Sequence, residues 1–306
     1  MLTRRAFLNW SLRLAAAGLA TGAYAVGIEP FRLVTRHYRI TPLRWPRGFA
    51  LRVAILSDIH ACEPWVSAAR IRSIVAQTND LDADVILLLG DYSKGHHWTT
   101  GEVHSADWSA ALSGLKAPLG VHAVLGNHDW WDDRTAQAQG HGPTYGQRAL
   151  EAVGIRVYEN DVVKLEKDGA SFWLAGLGDQ LALLPHKRYG RTRWQGMDDL
   201  PGTLAQIEDD GAPVILMAHE PDIFPDVPAR VSLTVSGHTH GGQVRLMGWS
   251  PVVPSRHGNR YAYGHVREDR SDGKTDLIVS GGIGESIMPV RFGVPPEVVV
   301  VDLGTA

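Results

Sequence analysis

Five short segments of the chain carry side chains that could bind a metal ion. They are Asp58 and His60, two residues apart; Asp91 after Gly90; the run Gly126-Asn127-His128-Asp129; His219; and the run Gly237-His238-Thr239-His240. Taken singly each is weak, since a Gly-Asp pair is more often a turn and a lone histidine more often a hydrogen-bonded structural residue. Their placement sets them apart. Each follows directly on a short aliphatic run, at 53–56, 85–89, 121–125, 214–217 and 233–235. Oxygen ligands mixed with imidazole nitrogens suit manganese, iron or zinc better than magnesium or calcium, which prefer all-oxygen shells.

The five runs are too short for helices and read as strands. Between the first two, Trp65, Ala68, Ala69, Ile71, Ile74 and Val75 recur at roughly helical spacing, and Asn79-Asp80 closes the segment, which predicts a crossover helix. Strands alternating with helices make stacked βαβ units, an α/β fold. In such sheets ligands gather at the carboxyl ends of the strands, so residues far apart in sequence can meet there. An extended backbone through Asp58-Ile59-His60 would aim both side chains to one face. The runs 155–157, 162–165 and 172–175 read as consecutive strands forming an antiparallel element at one side of the sheet, and 277–280 and 298–302 as two further strands. No internal repeat, heptad or low-complexity tract interrupts the chain.

In this order the five segments resemble the calcineurin-like metallophosphoesterase family, whose pattern is D-x-H, G-D, G-N-H-[DE], H and G-H-x-H. The resemblance extends over roughly residues 52–302. It implies a four-layer α-β-β-α sandwich, two mixed sheets flanked by helices, with a dinuclear metal site at the strand ends. It also implies that Asp58, His60 and His240 hold a first divalent transition-metal ion and that Asn127, His219 and His238 hold a second. Asp91 would bridge the two, and manganese is favoured over iron or zinc. A metal-bridging hydroxide would attack the phosphorus, His128 would protonate the leaving oxygen, and Asp129 would hold the His128 ring. Many relatives carry a second acid soon after the G-D pair; here Tyr92-Ser93-Lys94 follow Asp91, which leaves open what orients a metal histidine. The runs Gly241-Gly242-Gln243-Val244-Arg245, Pro254-Ser255-Arg256-His257-Gly258, Gly281-Gly282-Ile283-Gly284 and Pro289-Val290-Arg291-Phe292 resemble the exported or membrane-associated bacterial branch. Relatives there cleave phosphodiesters and lipid-linked pyrophosphates, so a lipid or cell-envelope precursor is an expected substrate. Arg245, Arg256 and Arg291 are candidates for contact with phosphate oxygens, with surface salt-bridging the equal alternative for each.

The segment 1–27 reads as a leader or anchor. Thr3-Arg4-Arg5-Ala6-Phe7-Leu8 resembles the twin-arginine export consensus, the apolar stretch 14–27 has the length of a signal core, and Ala23-Tyr24-Ala25 offers a cleavage site. The expected partner is the twin-arginine export machinery, and the expected location is outside the cytoplasm, either free or anchored facing outward, with peripheral membrane contact. Residues 28–50 would be a linker and first strand, and 51–304 the catalytic domain.

The chain has 306 residues and a formal charge of −3, which becomes −6 without the three arginines of residues 1–27. This balance, with no basic stripe, argues against a nucleic-acid partner. Two alternatives remain beside hydrolysis of a small or lipid-linked phosphoester: a metal-holding scaffold without catalysis, and a nuclease. The single cysteine, Cys62, cannot form an internal disulfide and is expected to be structural. Trp130 and Trp131 are expected to pack between loop and core. His104, His122, His141, His186 and His265 lack motif context and are read as ordinary.

Overall fold

The computed structural model describes residues 3–185 and 194–304; His186 lies outside the described residues. The strands in chain order are β1 (Val34–Ile40), β2 (Leu51–Leu56), β3 (Cys62–Glu63), β4 (Val85–Leu88), β5 (Gly101–Glu102), β6 (Val121–Ala123), β7 (Arg156–Val157), β8 (Asp161–Lys167), β9 (Ala170–Gly176), β10 (Val214–Met217), β11 (Leu233–Ser236), β12 (Gly264–Arg270), β13 (Gly273–Val279) and β14 (Glu297–Leu303). The helices are α1 (Arg4–Gly27), α2 (Ala68–Asn79), α3 (Ser105–Leu112), α4 (Asn127–Trp131), α5 (Arg134–Gln139), α6 (Tyr145–Ala152) and α7 (Leu200–Ala205).

Two six-stranded mixed sheets carry the fold, in the orders β1-β14-β2-β4-β6-β7 and β12-β13-β11-β10-β9-β8. Strands β2, β4, β6 and β7 run parallel, as do β9, β10, β11 and β13. Side-chain alternation explains the layering. Val53 and Ile55 of β2 face the second sheet, against Phe172, Leu174, Ile215, Met217, Leu233 and Ile278. Ala54 and Leu56 face the other way, onto Ile71, Ile74 and Val75 of α2 and Trp108 and Leu112 of α3. Full burial of one such aliphatic side chain contributes about 1.5–3 kcal/mol. Beyond the second sheet, Ala175, Val214 and Leu216 pack under Leu200 of α7 and Ile223 and Val227. The expected helix–sheet–sheet–helix sandwich is therefore observed.

The predicted crossover helix is α2. Ser67 caps it by accepting from the Arg70 N–H at 3.1 Å. The expected antiparallel element at 155–175 is split: β7 joins the first sheet beside β6, whereas β8 and β9 form a hairpin in the second. The segment 28–50 supplies β1, which pairs in parallel with β14 along its whole length. Strand β14 thus lies between β1 and β2, although it comes last in sequence. Cys62 is buried, and burial pushes its thiol up to about 11, with Glu285 adding to the shift; it is an unreactive core residue.

Of the stretch 1–27, expected to be a leader or anchor, Arg4–Gly27 is the helix α1, with the Thr3 hydroxyl capping the Ala6 N–H at 3.2 Å. With the residues up to Phe31 it is long and apolar enough to cross a membrane, a test that signal sequences also pass.

Candidate metal centre

Backbone conformation, and not extended alternation, delivers the ligands. Asp58, His60, Asp91, His238 and His240 all have positive φ, from 45° to 66°. The reading of Asp58-Ile59-His60 as extended is therefore corrected: the chain leaves β2 and turns twice through the left-handed region. Asp and His tolerate that region better than most residues, and such backbone clusters at functional sites. The turns are held by the neighbouring loop, since the N–H groups of Asp58, His60 and Ala61 donate to the carbonyls of Gly90, Asp91 and Tyr92 at 3.0, 3.0 and 2.9 Å.

The structure brings the sequence-predicted residues into two groups. Asp58, His60 and His240 form one and Asp91, His219 and His238 the other, with the ligand atoms of each within 4.8 Å of one another, and His128 comes within the same reach of His60 and Asp91. Asn127 joins the second, its Oδ1 lying 2.8 Å from His238 Nδ1. The Asp91 carboxylate stands between the groups, its Oδ2 at 3.5 Å from His60 Nε2 and 3.3 Å from His219 Nε2. All seven side chains are buried.

The imidazole tautomers test whether a cation fits. Nδ1 of His60 donates to the Ser93 carbonyl at 2.8 Å, Nδ1 of His240 to Gly284 at 3.2 Å, and Nδ1 of His219 to Leu89 at 2.6 Å. Nε2 of His60 and of His240 then presents a lone pair. Burial holds His60 down to about 3 and His240 well below its ordinary value, so neither ring carries a second proton near neutrality. Yet their Nε2 atoms face each other at 3.1 Å. Two opposed lone pairs at that distance repel unless a cation lies beside both. His219 Nε2 is buried without a hydrogen-bond partner, which fits a coordinating nitrogen. Burial opposes charge on His219, but Asp91 holds it well above the ordinary imidazole value; Asp91 itself lies well below the carboxylate range, with His219 and His128 outweighing burial. Burial and the Asp91 charge push Asp58 up to about 7. A set of carboxylates, imidazoles and one amide suits divalent transition-metal ions.

The Ser93 carbonyl also answers what replaces the second acid: a main-chain oxygen orients His60. Close approach explains two glycines. A Cβ on Gly126 would lie 2.4 Å from Asp91 Oδ1 and 2.6 Å from His219 Cε1, and one on Gly237 would lie 2.4 Å from Asp58 Oδ2. Gly126→Ala is expected to weaken binding at the second ligand group by about 10–100-fold, the range for disturbed ligand support. Metal titration followed by elemental analysis checks this; unchanged affinity would contradict the packing described.

Asp129 does not hold the His128 ring. Its Oδ2 accepts from the N–H of Asp91 and of Gly126, both at 2.9 Å, and its Oδ1 from Tyr92 at 2.9 Å and Ser93 at 3.3 Å. Burial and the Asp91 charge push this carboxyl up, to about 7, but four N–H donors fill its lone pairs and require the ionised form. Asp129 fastens the Asp91 loop to the Gly126 loop. His128 sits partly exposed, its N–H bonded to Asp91 Oδ1 at 2.8 Å and its ring 4.9 Å edge-on to His60 and 5.2 Å from Trp131. Besides Asp91, His128 favours the ionisation of Asp132, which burial pushes up.

The expectation for Arg291 is corrected. Arg291 is wholly buried, donating to the carbonyls of Gly281 at 2.9 Å and Val294 at 3.0 Å and to that of Gly284, with Nε 3.4 Å from Glu285. It braces the loop that orients His240 and offers nothing to a phosphate. Arg245 lies over the Tyr263 ring and reaches the Ser250 hydroxyl at 3.3 Å, and Arg256 is bonded to Asp222. Removing Arg291 strands the Glu285 carboxylate in the interior, so Arg291→Met is expected to lower stability by about 3–5 kcal/mol, measurable as a fall in the urea midpoint.

Two carboxyls beside His219 escaped the sequence reading. Asp179 and Glu220 are buried with one oxygen each unpartnered, and they group with His219. Glu220 directly follows His219, and Asp179 lies just beyond β9; the pattern of polar residues after strands was the signal. Trp130 is buried as expected, whereas Trp131 is only partly so and stacks on Trp194 at 5.3 Å. His122 and His265 are occupied by Tyr158 and Asp276.

Residues 51–242 match the sequence profile described as calcineurin-like phosphoesterase. The chain belongs to this family. YkuE, a metallophosphoesterase of Bacillus subtilis, is 29% identical over 99% of this chain and 98% of its own. A zebrafish (Danio rerio) transmembrane protein with a metallophosphoesterase domain is 32% identical over 63% of this chain and 41% of its own. Among solved structures, a dimetal phosphatase from the same fish aligns at a TM-score of 0.37, 13% identity, over 76% of this chain and 88% of its own. Membership implies a metal-dependent phosphohydrolase that uses divalent ions, and the two ligand groups are where this chain could hold them.

Proposed function

We propose that the protein hydrolyses a phosphodiester or pyrophosphate bond with two transition-metal ions, manganese favoured, in a lipid or cell-envelope precursor. The observation that carries this reading is the pair of ligand groups joined by Asp91, with His128 at their edge. Bound as a pair, the ions would polarise a phosphoryl oxygen and lower the pKa of an attacking water. The chain supplies the rest. Asp91 and Asp58 set the local charge, His60, His219 and His240 are each oriented by an Nδ1 bond to a main-chain carbonyl, and Asn127 holds His238. His128, whose ring has no hydrogen-bond partner among the described residues, gives its proton to the leaving oxygen, so the departing group leaves neutral. A cavity of about 570 Å³ lined by Ser93, Lys94, Glu102, Trp131, Asp132 and Arg134 lies on the side of Trp131, whose ring is 5.2 Å from that of His128, and can take that group. The charged side chains there, Lys94 and Arg134 against Glu102 and Asp132, balance one another, and Lys94 is paired with Glu102.

Helix α1 supports an anchored location. Arg4 and Arg5 start it, and cations at that end favour keeping it in the cytoplasm, with the catalytic domain outside. Arg13 lies over Trp10, one turn back toward that end, as a snorkelling side chain would. Export by the twin-arginine route remains part of the proposal.

The test is metal reconstitution of the purified chain, with turnover of bis-p-nitrophenyl phosphate, lipid pyrophosphates and nucleotide diesters compared. Metal-dependent cleavage with preference for the lipid pyrophosphate is the expected result. Absence of turnover with every divalent metal would end the reading, and preferential cleavage of DNA or RNA would replace it with the nuclease.

A further inference from the structure

Large apolar side chains left uncovered by the fold gather on three loops, and those loops also serve the metal centre. Leu246, Met247 and Trp249 form the tip of a hairpin that begins just after His240; Met247 is fully exposed and Trp249 59% exposed. Ile287 and Met288 follow Gly284, whose carbonyl orients His240. Trp98 ends the loop that begins at Asp91 and is 65% exposed. Ile287 is 70% exposed and also holds φ at 67°, a costly conformation for a β-branched residue. It is kept there by its N–H bond to Gly95 O at 2.9 Å. No packing gain explains presenting an isoleucine to water in that way.

These loops share a footing with the root of α1. In the last turn of that helix the Ala25 carbonyl accepts from Arg291 N–H at 2.9 Å, and the Tyr24 ring meets Phe292 edge-on at 6.2 Å. Phe292 in turn donates to Gln243 O at 2.8 Å and accepts from Arg245 N–H at 2.7 Å, at the base of the 246–249 hairpin. Gln243 Nε2 reaches the Met288 carbonyl at 3.2 Å. On the other side Phe31 stacks on Trp65 at 5.6 Å, and Trp65 Nε1 bonds to the Trp98 carbonyl at 2.9 Å. A helix of this length spans about 36 Å, enough for a hydrocarbon core of about 30 Å. The bilayer it crosses must begin where the helix leaves the domain, and that point is the apolar rim.

We propose that Leu246, Met247, Trp249, Ile287, Met288 and Trp98 seat on the lipid bilayer, so that the metal centre opens at headgroup level. The occupant of this face is the membrane surface and not a second protein, because an anchor of membrane-spanning length is rooted in the same patch. Aromatic and aliphatic side chains at such a depth bind the interface through buried apolar area. The proposal rests on α1 being a bilayer anchor and is independent of turnover.

The experiment uses the full chain bound to phosphatidylcholine–phosphatidylglycerol vesicles, with an environment-sensitive fluorophore attached at Met247→Cys or, as a control, at Asp168→Cys. Native Cys62 is buried, so it does not compete for the label. Asp168 lies in the β8–β9 turn, at the end of the sheet opposite the metal centre. The expected result is a blue-shifted emission at 247 that nitroxide lipids quench about twofold or more, as for a side chain sunk 5–10 Å into the interface, with no change at 168. Flotation reads the anchor separately. A chain that floats while its 247 label stays as water-exposed as the 168 label overturns the rim alone. A chain that does not float overturns anchor and rim together.

Discussion

Asp91→Asn is expected to reduce turnover by at least about 100-fold and to bring the metal content of the purified protein below two ions per chain. The lower bound comes from the 10–100-fold effects of disturbing groups that merely support ligands; in barrier terms it is about 2.7 kcal/mol. Asp91 does more than support. Its Oδ2 is within 3.5 Å of imidazoles from both ligand groups while its Oδ1 accepts the His128 N–H at 2.8 Å. Asparagine keeps the shape but removes the charge, and it turns an NH2 group toward one of the two sides. Elemental analysis and diester hydrolysis on the same preparation check both halves, and a variant holding two ions at wild-type affinity would refute the bridging role.

His128→Ala should behave differently. It is expected to lose about 10²–10⁴-fold in kcat, the range for one general acid, with metal content unchanged. Its ring comes near His60 and Asp91, but each ligand group has three other side chains, and the ring hydrogen-bonds to no other described residue. Because the role is to neutralise the departing oxygen, the loss should shrink for a p-nitrophenolate leaving group and grow for an alkoxide. Equal losses for both would point to a positioning role instead, and loss of metal would return the ring to the ligand set.

Much of this arrangement was legible in the sequence because short aliphatic runs and the polar residues that end them are local signals. The 53–56 and 214–217 runs look like strands whatever surrounds them, and parallel topology then gathers their ends. What was not legible depends on partners distant in sequence. Strand β12, Gly-His-Val-Arg-Glu-Asp-Arg, reads as polar loop, because only its cross-strand bonds to β13 and the Arg267–Asp276 pair hold it extended. The runs at 155–157 and 162–175 advertise strands but not that they belong to different sheets. Asp129 and Arg291 have the residue types of catalysis and anion binding, yet their partners are main-chain N–H groups and carbonyls, which sequence spacing does not reveal. The left-handed turns at Asp58 and His60 are fixed by the Gly90 loop, another non-local cause.

The position of β14 bears on how the chain reaches its native state. Until residues 297–303 have left the ribosome, the β2 edge has no neighbour and β1 has nowhere to dock, so the first sheet stays open while the other strands are already made. Nascent chains that still lack this strand would expose an aliphatic edge and attract chaperones. Removing residues 297–303 would therefore leave β2 as an open edge and release β1, the segment that tethers α1 to the domain.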